Sequence, residues 1–318
     1  MQHIDTTSAR ERVGLTVLGA DAVAAVSAIV AAEAAGVSQV WRIQGTPEVD
    51  TLTLYAAAAV QTSSIRLGTS IVPTYPRHPL ALAQQALALE DLAPGRLRLG
   101  VGPSHRPTIE GVYGIPMIAP LEHLREYVAI LRAVLWEGKV DFHGRFFTVK
   151  TTLTRTPRTP ILVSALGEAA FQLAGEISDG GISWLCPIPY LQGKALPALR
   201  VGAEKAGRPR PPLVAHIPVS LSQNRQAVLA AARKKLGRYG RLPFYAHMFA
   251  EAGFPVSQDG TMSDALIDSL VVSGDETHVK ARLIELLEAG FDELMVMPIS
   301  FIYAKGEQAR LARLIMQL

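Results

Sequence analysis

The chain has 318 residues, of which 49% are hydrophobic and 19% charged, and its formal net charge is +3 at pH 7. A chain of this length can bury a large core. Its basic residues are dispersed and form no stripe with interleaved aromatics, which argues against nucleic-acid binding. Its single cysteine, Cys186, excludes an internal disulfide and a thiolate metal cage, and fits a cytoplasmic protein.

No stretch of the sequence predicts a membrane span. The apolar run from Ala22 to Ala35 is too short for one and carries Glu33. Residues 1–12 are polar and lack the apolar centre of a signal peptide, so we interpret them as a flexible N-terminal arm.

Short apolar strands alternate with longer helical patterns along the whole chain. Helix starts are marked by capping residues such as Asp21 and Asp275, and helix ends by glycines such as Gly36 and Gly290. The strands are predicted at residues 13–18, 39–44, 65–72, 96–102, 161–165, 180–185, 213–221 and 293–297.

Eight strand–helix units in one run predict an α/β fold of the (β/α)₈ TIM-barrel type. A doubly wound parallel sheet is the rival architecture, but it gives no reason to stop at eight strands. A barrel of this size is commonly one domain, so we expect residues 13–318 to form one domain. The segment at about residues 223–272 is longer than a simple connection and predicts a mostly helical insertion after the seventh strand. Long insertions beside a barrel mouth are usually lids or partner surfaces.

The third and fourth strands end in similar polar loops. The third leads into a loop with three prolines that carries Tyr75, Arg77 and His78, and the fourth leads into Pro103-Ser104-His105. Because active sites of such barrels lie at the carboxyl ends of the strands, we expect the two loops to be neighbouring walls of one pocket at the barrel mouth.

Two of these side chains are candidates for catalysis. His105 stands at a strand tip and suits a general acid or base, or a hydrogen-bond partner of a ring cofactor; a solvated loop histidine is the alternative. Tyr75 could donate to a substrate oxygen or line the mouth. For His78, at a helix entrance, capping or packing is the better interpretation. Gln44, which ends the second strand, joins the candidates at the mouth.

The fifth strand runs through a glycine turn directly into a helix. The first amides of a helix have no internal partner and favour an anion such as phosphate, although a tight turn that only needs glycine would have the same sequence. Gly100-Val101-Gly102 resembles the start of a dinucleotide-binding fingerprint, without its third glycine. The residues of the predicted anion site are Leu166, Gly167, Glu168, Ala169 and Ala170.

Motifs for other chemistries are absent from the sequence. There is no Gly-x-Ser-x-Gly elbow, no His-Glu-x-x-His and no Asp-rich calcium loop, so no metal site is predicted. Acidic pairs do not cluster at strand ends, which argues against a glycosidase. This pattern is typical of an enzyme whose cofactor carries the chemistry.

The motifs together resemble the bacterial luciferase-like oxidoreductases that use flavin or deazaflavin. The resemblance covers about residues 13–298 and is strongest for the branch that uses the 5-deazaflavin coenzyme F420. The segments that carry it are residues 66–79 with Ala83-Gln84-Gln85, residues 98–102, Gly167-Glu168-Ala169 and Asp179-Gly180-Gly181.

The resemblance implies specific cofactor contacts. The Ser70–Ile71 peptide would be a non-proline cis bond behind the ring, and Pro103 and Ser104 would contact the polar edge of the ring. His105 occupies the position where a relative uses an acidic catalytic residue. The phosphate would be held by Leu166, Gly167, Ala169 and Ala170.

Two positions depart from the family pattern. Sugar-phosphate dehydrogenase relatives carry an Asp-His pair where this chain has Gln44-Gly45, so their proton donor is missing. Trp184 stands where a small polar residue is expected, so the cofactor tail would be held differently.

We therefore expect an F420-dependent oxidoreductase that moves a hydride between the deazaflavin C5 and a small organic substrate, with His105 or Tyr75 handling the proton. One alternative is an FMN-dependent monooxygenase fed by a separate reductase. Another is a non-catalytic barrel that binds a cofactor or other ligand. The resemblance also implies a homodimer, for which the predicted helices at residues 50–61 and 79–92 are candidate faces.

Overall fold

The computed structural model describes residues 8–45, 48–299 and 304–318, so residues 1–7 of the predicted arm lie outside the described part. Within these ranges, eight parallel strands close into a barrel, because the sixth pairs with the seventh and the eighth with the first. This confirms the predicted (β/α)₈ fold. The strands are β1 (Val13–Thr16), β2 (Gln39–Arg42), β3 (Arg66–Thr69), β4 (Leu97–Gly102), β5 (Ile161–Ala165), β6 (Gly180–Ser183), β7 (Leu213–Ser220) and β8 (Glu293–Pro298).

Helices cover the outside of the barrel, and their predicted caps are confirmed. Asp21 and Asp275 each accept a hydrogen bond from the backbone amide three residues on. Gly36 and Gly290 follow helix ends with φ of 89° and 99°, values that favour glycine. The α-helices are Ala22–Ala34, Thr51–Ala59, Pro79–Leu92, Arg106–Gly111, Pro120–Arg132, Glu168–Ile177, Ile188–Tyr190, Leu196–Lys205, Arg225–Leu236, Pro243–Glu251, Asp264–Leu270, Glu276–Glu288 and Ala304–Ile315.

Shorter elements complete the described chain. The segment Ala9–Glu11 is a 3₁₀ turn, so this part of the predicted arm has regular structure. A second 3₁₀ segment is Gly237–Arg241, and the π-helical segments are Ala133–Glu137 and Leu191–Ala195. Val72–Pro73 pairs with β4, Val272–Ser273 pairs with β7, and Lys139–His143 and Thr148–Thr152 form an antiparallel hairpin.

The barrel interior is filled by one apolar cluster built around Trp41. Two glycines leave the room for its ring: a Cβ would lie 2.4 Å from the ring at Gly68 and 2.6 Å from Nε1 at Gly14. Both glycines are on the strands next to β2. The cluster consists of Trp41, Leu162, Ile182, Val214 and Met295, with Ile71 and Trp184 packed against it.

The amino-terminal end of the barrel is closed by a polar network. Arg98 donates to both carboxylate oxygens of Glu293, at 2.6 and 2.8 Å, and to Gln39 at 2.7 Å. These residues stand at or near the starts of β4, β8 and β2. A ligand therefore has to approach from the carboxyl end, the barrel mouth.

The insertion after β7 is helical, as predicted, and runs through three α-helices before Val272–Ser273. None of the helices in the described part of the chain is long and apolar enough to cross a membrane.

Candidate functional site

Four buried polar atoms at the barrel mouth have no hydrogen-bond partner among the described residues. Thr16 ends β1, Ser70 follows β3, and Trp184 follows β6. His216 is on β7 and level with Trp184, because Val214 pairs with Ile182 and each lies two residues earlier. Buried polar groups normally find a partner, so such atoms indicate a ligand site. The atoms are Thr16 Oγ1, Ser70 Oγ, Trp184 Nε1 and His216 Nε2.

Ile71 and Trp184 form an apolar surface at the mouth, which we call the mouth floor. Both side chains are half-buried and pack on the interior cluster. The Ser70–Ile71 peptide is cis, as the family resemblance implied. The segment after β3 is hydrogen-bonded to the end of β4, since the Thr74 amide donates to Gly102 O at 2.9 Å.

The glycines of β4 serve barrel packing. A Cβ at Gly100 would lie 2.0 Å from Thr69 O, and one at Gly102 would lie 2.0 Å from Ser164 Oγ. No side chain fits at either position, because neighbouring strands approach too closely. The two glycines are therefore explained by close strand packing, and Gly100-Val101-Gly102 is not needed as the start of a dinucleotide-binding turn.

At the tip of β4, the backbone turns sharply to place His105. Ser104 has φ of 62°, in the left-handed region, and His105 precedes the helix Arg106–Gly111 without a side-chain capping bond. The His105 ring lies edge-on to Tyr239 and Tyr245, with centroids 5.9 and 5.6 Å away. Its pKa is lowered from 6.5 by burial and by the charge of Arg238, so the ring is neutral at pH 7.

The two tyrosines come from the helical insertion and were not among the sequence-derived candidates. The Tyr239 ring lies 4.9 Å from that of Tyr245 and 6.5 Å from that of Trp184, so it connects the tips of β4 and β6. Arg238 donates to the Tyr239 hydroxyl at 3.2 Å. The available signal was a pair of tyrosines six residues apart in a segment already interpreted as a lid or a partner surface.

The turn after β5 has the geometry of an anion site. Gly167 precedes the ten-residue helix Glu168–Ile177 with φ of −90°, and a Cβ there would meet no atom within 4 Å. A tight turn therefore does not require this glycine. The amides of Glu168 and Ala169 have no acceptor among the described residues, and Ala169 is exposed. Positive charge density at this helix start is thus open to a ligand.

Two predicted site residues have structural partners near the mouth. Gln44 accepts from the Thr51 amide at 3.1 Å, at the start of the helix Thr51–Ala59. Tyr75 donates its hydroxyl to Ile118 O at 2.7 Å and stacks on His123 with centroids 4.0 Å apart. Their roles toward cofactor and substrate stay predictions.

His78 caps a helix, as its position in the sequence suggested. Its Nδ1 accepts from the Leu80 amide at 3.2 Å, and its ring lies edge-on to Phe147. The two strand-tip histidines therefore do not converge: His105 faces the insertion and His78 faces the outer hairpin. Within the described residues, no three His, Cys, Asp or Glu side chains gather as a metal site would need.

Comparison with known proteins identifies the family of this chain. The family model for luciferase-like monooxygenases matches residues 4–293. The F420-dependent glucose-6-phosphate dehydrogenase of Beutenbergia cavernae is 32% identical over 273 residues, 81% of this chain and 79% of that protein. The 5,10-methylenetetrahydromethanopterin reductase of Methanolobus tindarius is 27% identical over 285 residues, 83% of this chain and 86% of that protein.

A solved structure supports the same fold. The coenzyme F420-dependent tetrahydromethanopterin reductase of Methanopyrus kandleri superposes with a TM-score of 0.76 at 22% identity, covering 96% of this chain and 97% of that one. The family resemblance stated from the motifs is confirmed, and the chain belongs to the luciferase-like monooxygenase family, among whose members are F420-dependent enzymes.

Proposed function

We propose that the chain is an F420-dependent oxidoreductase that transfers a hydride between the deazaflavin C5 and a small organic substrate. The observation that carries the proposal is the set of four unpartnered polar atoms at the barrel mouth. The F420-dependent relatives at 27% and 32% identity support the choice of cofactor.

The residues present fit a flat ring with a phosphate tail. The apolar mouth floor, Ile71 and Trp184, would lie against the ring, while Thr16, Ser70 and His216 would bond to its nitrogen and oxygen atoms. The amides of Glu168 and Ala169 would hold the phosphate. When bound, the deazaflavin supplies two-electron hydride chemistry, which the protein's own side chains lack.

The proton that accompanies the hydride is assigned to His105. This ring is neutral near pH 7 and makes no hydrogen bond with described residues, so either nitrogen is free for a substrate. The Tyr75 hydroxyl, the other predicted donor, already donates to a backbone carbonyl. Tyr239 and Tyr245 cover His105 from the insertion side and would exclude water from the reacting atoms.

FMN is the competing cofactor, since it also combines a tricyclic ring with a phosphate. A Baeyer–Villiger monooxygenase from Pseudomonas putida, solved in complex with FMN, shares the fold with a TM-score of 0.70 at 17% identity. That enzyme class adds oxygen to its substrate, whereas deazaflavins react poorly with oxygen.

Titration of the purified protein with F420 and, separately, with FMN tests the proposal. Cofactor fluorescence should change and saturate with F420 at micromolar concentrations. Absence of saturation up to about 100 μM would contradict the proposed function. Tighter FMN binding, with an oxygen-dependent peroxide spectrum after reduction, would support the monooxygenase alternative. F420 binding without turnover over a broad substrate panel would support a ligand-binding barrel.

A further inference from the structure

His216 is a fully buried histidine in the barrel wall that belongs to no sequence motif. It lies on β7, two residues after Val214 of the interior cluster, and so projects to the same interior face. Only 1% of the residue is exposed. Its depth and its place on a barrel strand distinguish it from the surface histidines of this chain.

The hydrogen bonding of His216 fixes which ring nitrogen carries the proton. The Leu185 amide donates to Nδ1 at 3.3 Å. Because a backbone amide can only donate, Nδ1 is the acceptor, and the neutral ring holds its proton on Nε2. Burial and the nearby charge of Lys235 lower the pKa of His216 to about 3, which keeps the ring neutral. Nε2–H is thus a buried donor without an acceptor among the described residues.

Trp184 holds the imidazole in place and adds a second donor. Its ring stacks on His216 with centroids 3.7 Å apart and an interplanar angle of 21°. Its indole Nε1–H is also buried without an acceptor in the described part of the chain. Since Trp184 is part of the mouth floor and lies level with His216, both donors belong to the β6–β7 side of the mouth.

We propose that Nε2–H of His216 donates a hydrogen bond to a carbonyl oxygen or ring nitrogen of the bound tricyclic cofactor, and that Trp184 positions it for this contact. The inference rests on the proposed function. It adds the β6–β7 side of the mouth to the ring contacts of Thr16 and Ser70, apart from the phosphate contacts at the β5 turn. His216 is a neutral donor and takes no part in proton transfer.

The first test compares the affinities of His216 variants for F420 by fluorescence titration. His216→Leu removes the donor and should weaken F420 binding about tenfold, the effect of losing one buried hydrogen bond. His216→Gln places an amide N–H near the Nε2 position and should stay within about threefold of wild type. The same ratios should hold for the phosphate-free deazaflavin chromophore, because the contact is with the ring.

The second test uses Trp184→Phe with Trp136→Phe as the matched control. Trp136 lies on an outer helical segment, donates to Thr159 O and has no contact with the mouth. Trp184→Phe should weaken F420 binding several-fold and remove most of the cofactor-induced quenching of tryptophan fluorescence. Trp136→Phe should change neither. This pair keeps the proposal testable if His216→Leu does not fold.

Two results would overturn the inference in distinguishable ways. A folded His216→Leu protein that binds F420 and the phosphate-free chromophore as tightly as wild type would refute the His216 contact and leave the proposed function standing. A wild-type protein that does not bind F420 would refute the proposed function, and the assignment of His216 with it.

Discussion

Some residues at the mouth could be identified from the sequence, and others could not. His105 was predicted as a catalytic residue from its place at a strand tip; it lies edge-on to Tyr239 of the insertion, and its catalytic role stays a prediction. Gln44 and Tyr75 were predicted on the same ground, yet both bond to nearby backbone groups. His216 could not be found from the sequence, because its position beside Trp184 depends on the register between β6 and β7.

The charge of Arg238 acts on His105, and this coupling can be measured. Arg238→Gln removes the charge and leaves the burial, so we expect the pKa of His105 to rise toward its ordinary value of 6.5 without reaching it. Imidazole NMR signals followed over pH, with His105→Gln for assignment, give the value. Arg241→Gln, on the same 3₁₀ segment but exposed, is the matched control. An unchanged pKa in Arg238→Gln would contradict the coupling.

At the scale of elements, caps and glycines predicted the boundaries of the helices Ala22–Ala34 and Glu276–Glu288, because they act locally. Asp21, Asp275, Gly36 and Gly290 all have their predicted roles. The aromatic composition of Arg145-Phe146-Phe147 is typical of a strand, but the strand begins only at Thr148. The reason is tertiary: the Glu126 carboxylate accepts from the amides of Arg145 and Phe146 at 2.7 and 2.9 Å and holds them in the turn.

A carboxylate added at the start of the helix Glu168–Ile177 should compete with a bound phosphate and so weaken cofactor binding. Ala169→Glu places a carboxylate beside the open amides, and we expect it to weaken F420 binding about tenfold by repulsion. Gln172→Glu adds the same charge at an exposed position further along this helix and should leave binding within about twofold. Equal effects of the two variants, measured by the same titration, would argue against a phosphate site at this turn.

Asp50 joins two elements on the mouth side of the barrel and should make stability depend on acid pH. It caps the helix Thr51–Ala59 and pairs with Arg77 from the loop after β3. Burial opposes its ionisation, but hydrogen bonds from Arg77 and Thr53 prevail and lower its pKa from 3.8 to about 2. Because the pKa is lower in the folded state, the ionised Asp50 stabilises the fold at pH values above 3.8, its value in the unfolded chain. This contribution is lost as the pH falls through about 2.

Urea unfolding at several pH values checks this expectation. Asp50→Asn should be less stable than wild type at pH 6, and the difference should shrink as the pH approaches 2. A difference that stays constant over this range would show that Asp50 does not titrate with the fold.

At the scale of the whole molecule, alternation of strands and helices was enough to predict the barrel. The fit of Trp41 inside the barrel was not predictable, since it depends on glycines of the two neighbouring strands. Dimerisation also stays a prediction. The helix Pro79–Leu92 buries Leu82, Ala86 and Leu89 but exposes Ala81, Gln84, Ala88, Asp91 and Leu92.

The fit of Trp41 makes Gly68 a sensitive position. In Gly68→Ala the new Cβ would lie 2.4 Å from a buried, rigid ring, so we expect a loss of about 1–3 kcal/mol in the free energy of unfolding. Gly111→Ala is the control, because a Cβ there meets no atom within 4 Å. Similar stabilities of the two variants in urea would mean that the interior adapts to the added methyl group.

A crystal structure of the protein with F420 tests the central claim most directly. We expect the tricyclic ring against Ile71 and Trp184, a hydrogen bond from His216 Nε2, and the phosphate on the amides of Glu168 and Ala169. A ring bound elsewhere, or no ring at the mouth at saturating F420, would contradict the proposed site.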